Sequence, residues 1–147
     1  MKLGYTQVKI YRAGIPDWIR KRLPVIRTVE YPRVDIPIMY PEEVYKNLDK
    51  IVILDIGGPE LRKIGAITRG SVIHIALDDL EEKYGTLPKD KTLVITDVAG
   101  KQEEIAGRFL TAKGYTKLAA MGGGGRAWLK LLRIKEMMQP EEKTKAE

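Results

Sequence analysis

The chain has 147 residues, 44% of them hydrophobic, which is enough for one core domain and an extension. It contains no cysteine and a single histidine, His74, which excludes disulfides, zinc–thiolate sites, cysteine nucleophiles and multi-histidine metal centres. The net charge is +6, but no nucleic-acid motif, membrane-length apolar run or secretory signal accompanies it, so we expect a cytoplasmic protein that binds neither nucleic acid nor membrane.

The first element of the chain is related to the last. Residues 3–18 align without a gap on residues 113–128, with Gly, Tyr, Thr, a second Gly and Trp at matching positions. A repeat at this spacing has the size of a domain rather than of a solenoid unit. We therefore interpret residues 1–24, a predicted strand at Val8 and Ile10 followed by a helix from Ile15, as the C-terminal remnant of a preceding domain copy.

The next segments fix the predicted domain boundaries. Residues 25–37 are rich in proline and predict an extended linker. A complete copy is predicted over residues 38–138, and the charged residues 139–147 predict a disordered tail. This interpretation thus divides the chain into four parts, which are residues 1–24, 25–37, 38–138 and 139–147.

Within residues 38–138, predicted strands and helices alternate. In chain order the elements are a helix from Pro41, a strand over 51–54, a strand over 71–76, a helix from Asp78 capped by Asp78 or Asp79, a strand over 93–96, a helix over 102–113, a strand over 116–120 and a helix from Arg126. The strand runs are continuously apolar, which is typical of strands covered on both faces. The pattern predicts an α/β fold with a parallel sheet flanked by helices.

The loop after the strand over 93–96 is the candidate functional site, because parallel sheets place their active loops at the carboxyl ends of the strands. Its residues are Asp97, Val98, Ala99, Gly100, Lys101 and Gln102. The four glycines at 122–125 predict a turn rather than a phosphate cradle, because no Lys-Ser/Thr pair follows them.

Four stretches, in order, resemble the rhodanese-homology (sulfurtransferase) family. They are Ile53–Ile56 for the family's "LLDVR" strand, Gly65–Ile75 for "GHIPGAINIP" with an insertion, Leu93–Gly100 for the strand and start of the "CxxGxRS" active loop, and Gly114–Trp128 for the closing "GY…V…LxGG…W". The resemblance covers residues 38–132 and implies a three-layer α/β/α fold. In the family, the loop cysteine carries a persulfide during sulfur transfer.

The chain departs from this pattern at the residues that carry the chemistry. The catalytic cysteine falls on Asp97, the loop arginine on Gln102 and the following serine on Glu103. The family's "GH" histidine falls on Ala66, and the arginine after the first strand falls on Gly57. A carboxylate cannot form a persulfide. The resemblance therefore implies a catalytically inactive copy with no catalytic residue.

Two roles for Asp97 remain open in this family context. The family's loop is a cradle of backbone N–H groups ahead of a helix, so the Asp97 carboxylate could fill the cradle from within. Alternatively, Asp97 only caps the helix that begins at Gln102. A phosphatase-like use of Asp97 as nucleophile, or an anion-binding domain, is a third reading, although Ala99 and Lys101 stand where a phosphatase has its second acid and its threonine.

The sequence thus predicts an inactive rhodanese-like module with a structural or binding role and no cofactor or metal. Its expected partner is another rhodanese-like domain or a different protein, with self-association through residues 1–24. Sulfurtransferase activity would require a cysteine in a neighbouring copy. His74 is expected at a sheet edge or face without a catalytic role, and Asp55 is expected to hold loop N–H groups, with Arg62 or Arg69 nearby.

Overall fold

A computed structural model of the chain describes residues 7, 9–26, 33–60, 67 and 69–138. It divides into two compact units, Met1–Glu30 and Tyr31–Glu147. The first contains helix α1 (Gly14–Arg20). The second contains β1 (Ile38–Met39), α2 (Pro41–Lys46), β2 (Ile51–Asp55), β3 (Val72–His74), α3 (Leu80–Lys83) between the 3-10 turns Leu77–Asp79 and Tyr84–Thr86, β4 (Thr92–Thr96), α4 (Glu103–Ala112), β5 (Leu118–Met121) and α5 (Gly124–Met137).

The five strands form one parallel sheet in the order β1-β5-β4-β2-β3. The two longest, β2 and β4, pair in the middle of the sheet, with Ile51 opposite Thr92 and Asp55 opposite Thr96. Because the strands are parallel, their carboxyl ends share one edge of the sheet. The predicted α/β fold with a parallel sheet flanked by helices is confirmed.

Each face of the sheet carries its own apolar core, which gives three layers. Side chains alternate along a strand, so Leu54 and Ile53 belong to opposite cores. Leu54 packs with Leu110 of α4, and Ile53 packs with Trp128 of α5. Both faces are therefore covered by helices, as the continuous apolar strand runs predict.

The N-terminal unit differs from its prediction. Residues 9–11 form no strand, and Val8 lies outside the described residues. A strand needs hydrogen bonds to a neighbouring strand, and α1 is the only regular element described in this unit. The helix begins at Gly14 and ends at Arg20. Two residues later, Arg22 has a φ of 54°, a left-handed conformation that does not continue the helix.

Two element boundaries in the second unit differ from their predictions. The helix predicted from Asp78 is the α-helix Leu80–Lys83 between two 3-10 turns. Asp79 stands at its N-cap position, as predicted, but its side chain makes no capping hydrogen bond, and Oδ2 accepts from Lys83 Nζ at 2.8 Å instead. Helix α5 begins at Gly124, two residues before its predicted start. Among the described residues, no helix is long and apolar enough to cross a lipid bilayer.

Candidate functional site

The side chain of Asp97 occupies the loop between β4 and α4. Oδ1 accepts hydrogen bonds from the backbone N–H of Ala99 (2.8 Å), Gly100 and Lys101 (3.2 Å), and Oδ2 accepts from Lys101 (3.3 Å) and Gln102 (3.2 Å). Four consecutive N–H groups therefore converge on one carboxylate. The side chain is buried. This is the geometry expected if the carboxylate fills the cradle.

The same geometry limits the capping interpretation. The N-cap of α4 is Gln102, and the Asp97 carboxylate bonds the N–H of Gln102 and of the three loop residues before it. A simple cap bonds the N–H groups two or three residues inside the helix. Asp97 thus satisfies the donors of the loop, in the positions where a bound anion would accept them.

Glu103, the first residue of α4, places a second buried carboxyl beside that of Asp97. Its side chain is 4% exposed, and its Oε1 accepts the backbone N–H of Asp97 at 3.2 Å. Burial raises the pKa of the Glu103 carboxyl, and the nearby charge of Asp97 acts in the same direction, against the hydrogen bonds from backbone N–H groups. The burial of Glu103 was not predicted from the sequence; an acid at the first position of a helix is the sequence signal that favours this contact.

Helix α5 holds the loop from the other side. The N–H groups of Gly125 and Arg126 donate to the carbonyl oxygens of Asp97 (2.7 Å) and Val98 (3.1 Å). A Cβ at Gly124 would lie 2.4 Å from the backbone nitrogen of Gly100 and 2.7 Å from the backbone carbonyl oxygen of Asp97. The glycines at 122–125 therefore do more than form the predicted turn, because they allow the first turn of α5 to approach the loop backbone.

Asp55 occupies the end of the neighbouring strand, as predicted. Its Oδ1 accepts the N–H of Gly57 at 2.9 Å, and its Oδ2 lies 2.9 Å from His74 Nδ1 on the edge strand β3. Arg69 instead donates to the Tyr45 hydroxyl at 3.1 Å. Arg62, the other candidate neighbour, and the segment 61–66 lie outside the described residues.

A groove of about 400 Å³ runs beside the loop, between the start of α4 and the chain leading into β1. Three carboxylates line it, from Asp35, Glu103 and Glu104, against one cation, Lys101. This charge distribution opposes an anionic substrate. No group of three or more acidic or histidine residues in the described part of the chain is placed to hold a metal ion.

Comparison with known proteins places this geometry in a family. The family model for the rhodanese-like domain matches residues 40–131, which is more than half of the chain. The chain belongs to the rhodanese-like family. Comparison with curated proteins gives no match.

Solved structures resemble this rhodanese-like domain over about two thirds of the chain. A rhodanese-related protein from Thermoplasma volcanium is 24% identical, with a TM-score of 0.59, over 65% of this chain and 92% of that one. The reduced CoADR-RHD of Bacillus anthracis is 27% identical, with a TM-score of 0.61, over 67% of this chain and 17% of that one. A NAD-dependent persulfide reductase from A. fulgidus is 31% identical, with a TM-score of 0.52, over 63% of this chain and 16% of that one. The rhodanese-like domain thus spans about a sixth of the length of the last two proteins.

Proposed function

We propose that this chain is a catalytically inactive rhodanese-like module with a structural or binding role in a protein of the sulfurtransferase family. The observation that carries the proposal is the Asp97 carboxylate. It stands at the position of the family's loop cysteine and accepts the N–H groups of residues 99–102.

The chemistry of the loop supports inactivity in two ways. Sulfur transfer needs a thiolate to carry the persulfide, and the chain contains no cysteine. The loop also lacks the family's arginine for an anionic donor such as thiosulfate, since Gln102 replaces it, Glu103 places a buried carboxyl there, and Lys101 is outnumbered by the three carboxylates of the groove. An external anion would have to displace the Asp97 carboxylate from its hydrogen bonds and then approach a second acid.

The phosphatase-like and anion-binding alternatives use the same aspartate less well. A nucleophilic carboxylate must present an oxygen to its substrate. Both oxygens of Asp97 accept backbone N–H groups, and Ala99 brings no second acid for proton transfer. These contacts favour a structural use of the carboxylate.

Two of the solved structures support the role of a module beside other domains. The persulfide reductase and CoADR-RHD resemble this chain over only 16% and 17% of their own lengths. A sulfurtransferase activity associated with this chain would take its cysteine from a neighbouring copy. We propose that the partner is another rhodanese-like domain or a further copy of this chain, engaged through residues 1–24. Sedimentation of a monomer at every concentration would contradict engagement between copies.

Restoring the family's loop tests the proposal. In the variant Asp97→Cys/Gln102→Arg/Glu103→Ser, the thiolate would attack the outer sulfur of thiosulfate, release sulfite and pass the sulfur to cyanide as thiocyanate. We expect thiocyanate formation by this variant and none by the parent. The matched control is Asp90→Cys, which adds a single thiol at an exposed position outside the loop.

Two results would overturn the proposal. The first is thiocyanate formation by the parent chain, which has no thiol. The second is phosphate-ester hydrolysis by the parent that Asp97→Asn abolishes, which would assign Asp97 as a nucleophile. Equal thiocyanate formation by Asp90→Cys and by the loop variant would show that any added thiol gives the activity and that the loop does not contribute to it.

A further inference from the structure

The outward side of α5 is unlike the rest of that helix. Its inward side buries Trp128 and Leu131 in the core. Its outward side carries residues at the spacing i, i+3, i+4, i+7 and i+8, which is one continuous helix face. We call these residues the basic face: Arg126, Leu129, Lys130, Arg133 and Ile134. They line a shallow groove of about 360 Å³.

The three cations of the basic face are exposed and have no acidic partner among the described residues. Two other helical cations of this unit are paired, Lys83 with Asp79 and Arg108 with Glu104. The three unpaired charges lie within two turns of one helix, and they therefore produce a concentrated positive potential.

Apolar side chains lie between these cations. Leu129 lines the groove, and Ile134 is 43% exposed. Met137, 81% exposed and one turn beyond Arg133, extends the same side of the helix. A partner that matches this surface must carry both negative charge and apolar side chains. A bare anion lacks the apolar side chains, and a purely apolar surface lacks the charge.

We propose that the basic face binds an acidic amphipathic peptide segment of a partner protein, with carboxylates on the three cations and apolar side chains against Leu129 and Ile134. Charge complementarity selects this occupant. A second copy of the N-terminal unit does not fit, because residues 1–30 contain seven basic and two acidic residues.

Nucleic acid and membrane surfaces fit the basic face less well. The face has no aromatic side chain on which a base could stack. A helix that lies on a lipid surface separates its cations from its apolar residues, whereas on this face Leu129 lies one turn from Arg133 and Lys130 one turn from Ile134. A groove with mixed lining is the arrangement that an amphipathic helix fills.

The position of the basic face links it to the loop. The N–H of Arg126 donates to the carbonyl of Val98 at 3.1 Å, so the first residue of the face is attached to the segment that holds Asp97. A partner on the basic face would lie next to the filled cradle. The proposal concerns a different surface from the loop, and it therefore stands or falls independently of catalytic inactivity.

Fluorescence anisotropy on the full chain tests the proposal. The probe is a labelled helix-forming peptide of about 15 residues, in which Leu recurs every three or four positions between Glu residues. We expect binding that weakens as salt rises from about 0.1 to 1 M, across which the Debye length falls from about 10 to 3 Å. Lys130→Glu/Arg133→Glu should weaken binding about tenfold or more, and Ile134→Ser about fivefold.

The matched control is Lys89→Glu/Lys91→Glu, which makes the same change in net charge on exposed lysines before β4. It should change the affinity less than about twofold. An equal loss in the control would overturn the proposal, as would undetectable binding at low salt. Equal affinity for a peptide with Ala in place of Leu would overturn the apolar part. Tighter binding of duplex DNA or of vesicles of phosphatidylserine, lost in Lys130→Glu/Arg133→Glu, would assign the face to those ligands instead.

Discussion

Helices α1 and α5 begin in the same way and lie in different surroundings. Their first residues, Gly14 and Gly124, are equivalent in the sequence repeat and have φ of 66° and 63°. In each helix a tryptophan follows four residues later, at Trp18 and Trp128. The repeated sequence thus produces the same left-handed entry into a helix in both places.

The surroundings of the two tryptophans differ. Trp128 is 0% exposed and packs in the core beside Tyr45, with ring centroids 6.1 Å apart. Trp18 is partly exposed, packs edge-on against Tyr11, and donates its Nε1–H to the Pro24 carbonyl at 2.9 Å. Local sequence thus determines how a helix starts, whereas burial of its tryptophan requires a sheet for the helix to pack against.

The largest expected effect is on Trp128. Trp128→Ala removes the largest fully buried side chain of the second unit and should lower the free energy of unfolding by about 3–5 kcal/mol, because the core is left with a cavity. The Nε1 of Trp128 has no hydrogen-bond partner among the described residues, so the substitution breaks no hydrogen bond and the loss comes from apolar packing. Urea unfolding followed by circular dichroism measures it.

Trp18→Ala is the matched control for that prediction. Because Trp18 is partly exposed, its removal should change the same unfolding transition by less than about 1 kcal/mol. Equal losses for the two variants would break the comparison, since they would mean that both tryptophans contribute to the same core.

The same contrast explains what sequence could predict in this protein. The apolar runs at 51–54 and 93–96 depend only on burial of both strand faces, so the parallel sheet was predicted correctly. The strand at Ile10 was not, because a strand depends on a neighbour that one-dimensional periodicity does not supply. The position of Asp97 could be predicted from the family's loop, whereas the burial of Glu103 and the approach of Gly124 to the loop arise from packing between elements distant in the chain.

The glycines at the two helix starts give the second prediction. Gly124→Ala forces a side chain into a left-handed conformation and against the Asp97 loop, where its Cβ would lie 2.4 Å from the Gly100 nitrogen. We expect a loss of about 3 kcal/mol, from backbone strain and overpacking together. Gly14→Ala carries the same left-handed strain but meets only Pro16 Cδ, at 3.7 Å, so it should cost only about 1–2 kcal/mol. An unchanged transition in Gly124→Ala would contradict the close approach.

The Asp97 loop is what α5 contacts at its start, and it gives the third prediction. Asp97→Asn replaces an acceptor-only carboxylate by an amide whose NH₂ would face N–H donors. The loss should be about 2 kcal/mol, because buried hydrogen bonds to a charged group are replaced by unsatisfied donors. The control Asp79→Asn removes an exposed pair with Lys83 and should cost about 0.5 kcal/mol or less. Equal losses in the two variants would show that the Asp97 hydrogen bonds contribute no more than a surface pair.

The smallest expected effect separates the two units by the sign of their pH dependence. Hydrogen bonds from Tyr11, then Arg20, then Lys21 lower the pKa of Asp17 in the N-terminal unit, whereas burial first and Asp97 second raise the pKa of Glu103. The stabilisation from ionised Asp17 is present above the pKa of the unfolded chain and is lost as pH falls through the lowered value. For Glu103, the folded form binds its proton more readily, so the cost of ionisation is present above the raised pKa and disappears as pH falls.

A carboxyl-carbon NMR titration of the whole chain measures both groups at once, with Asp17→Asn and Glu103→Gln to assign the two resonances. The midpoint of Asp17 should lie below about 3.9 and that of Glu103 above about 4.3, the values of the free side chains. Glu103→Gln should therefore stabilise the second unit more at neutral pH than at acidic pH, where the parent carboxyl is already protonated. Midpoints displaced in the same direction would contradict this difference, because the acid buried beside the Asp97 loop would then respond like the acid held by surface cations.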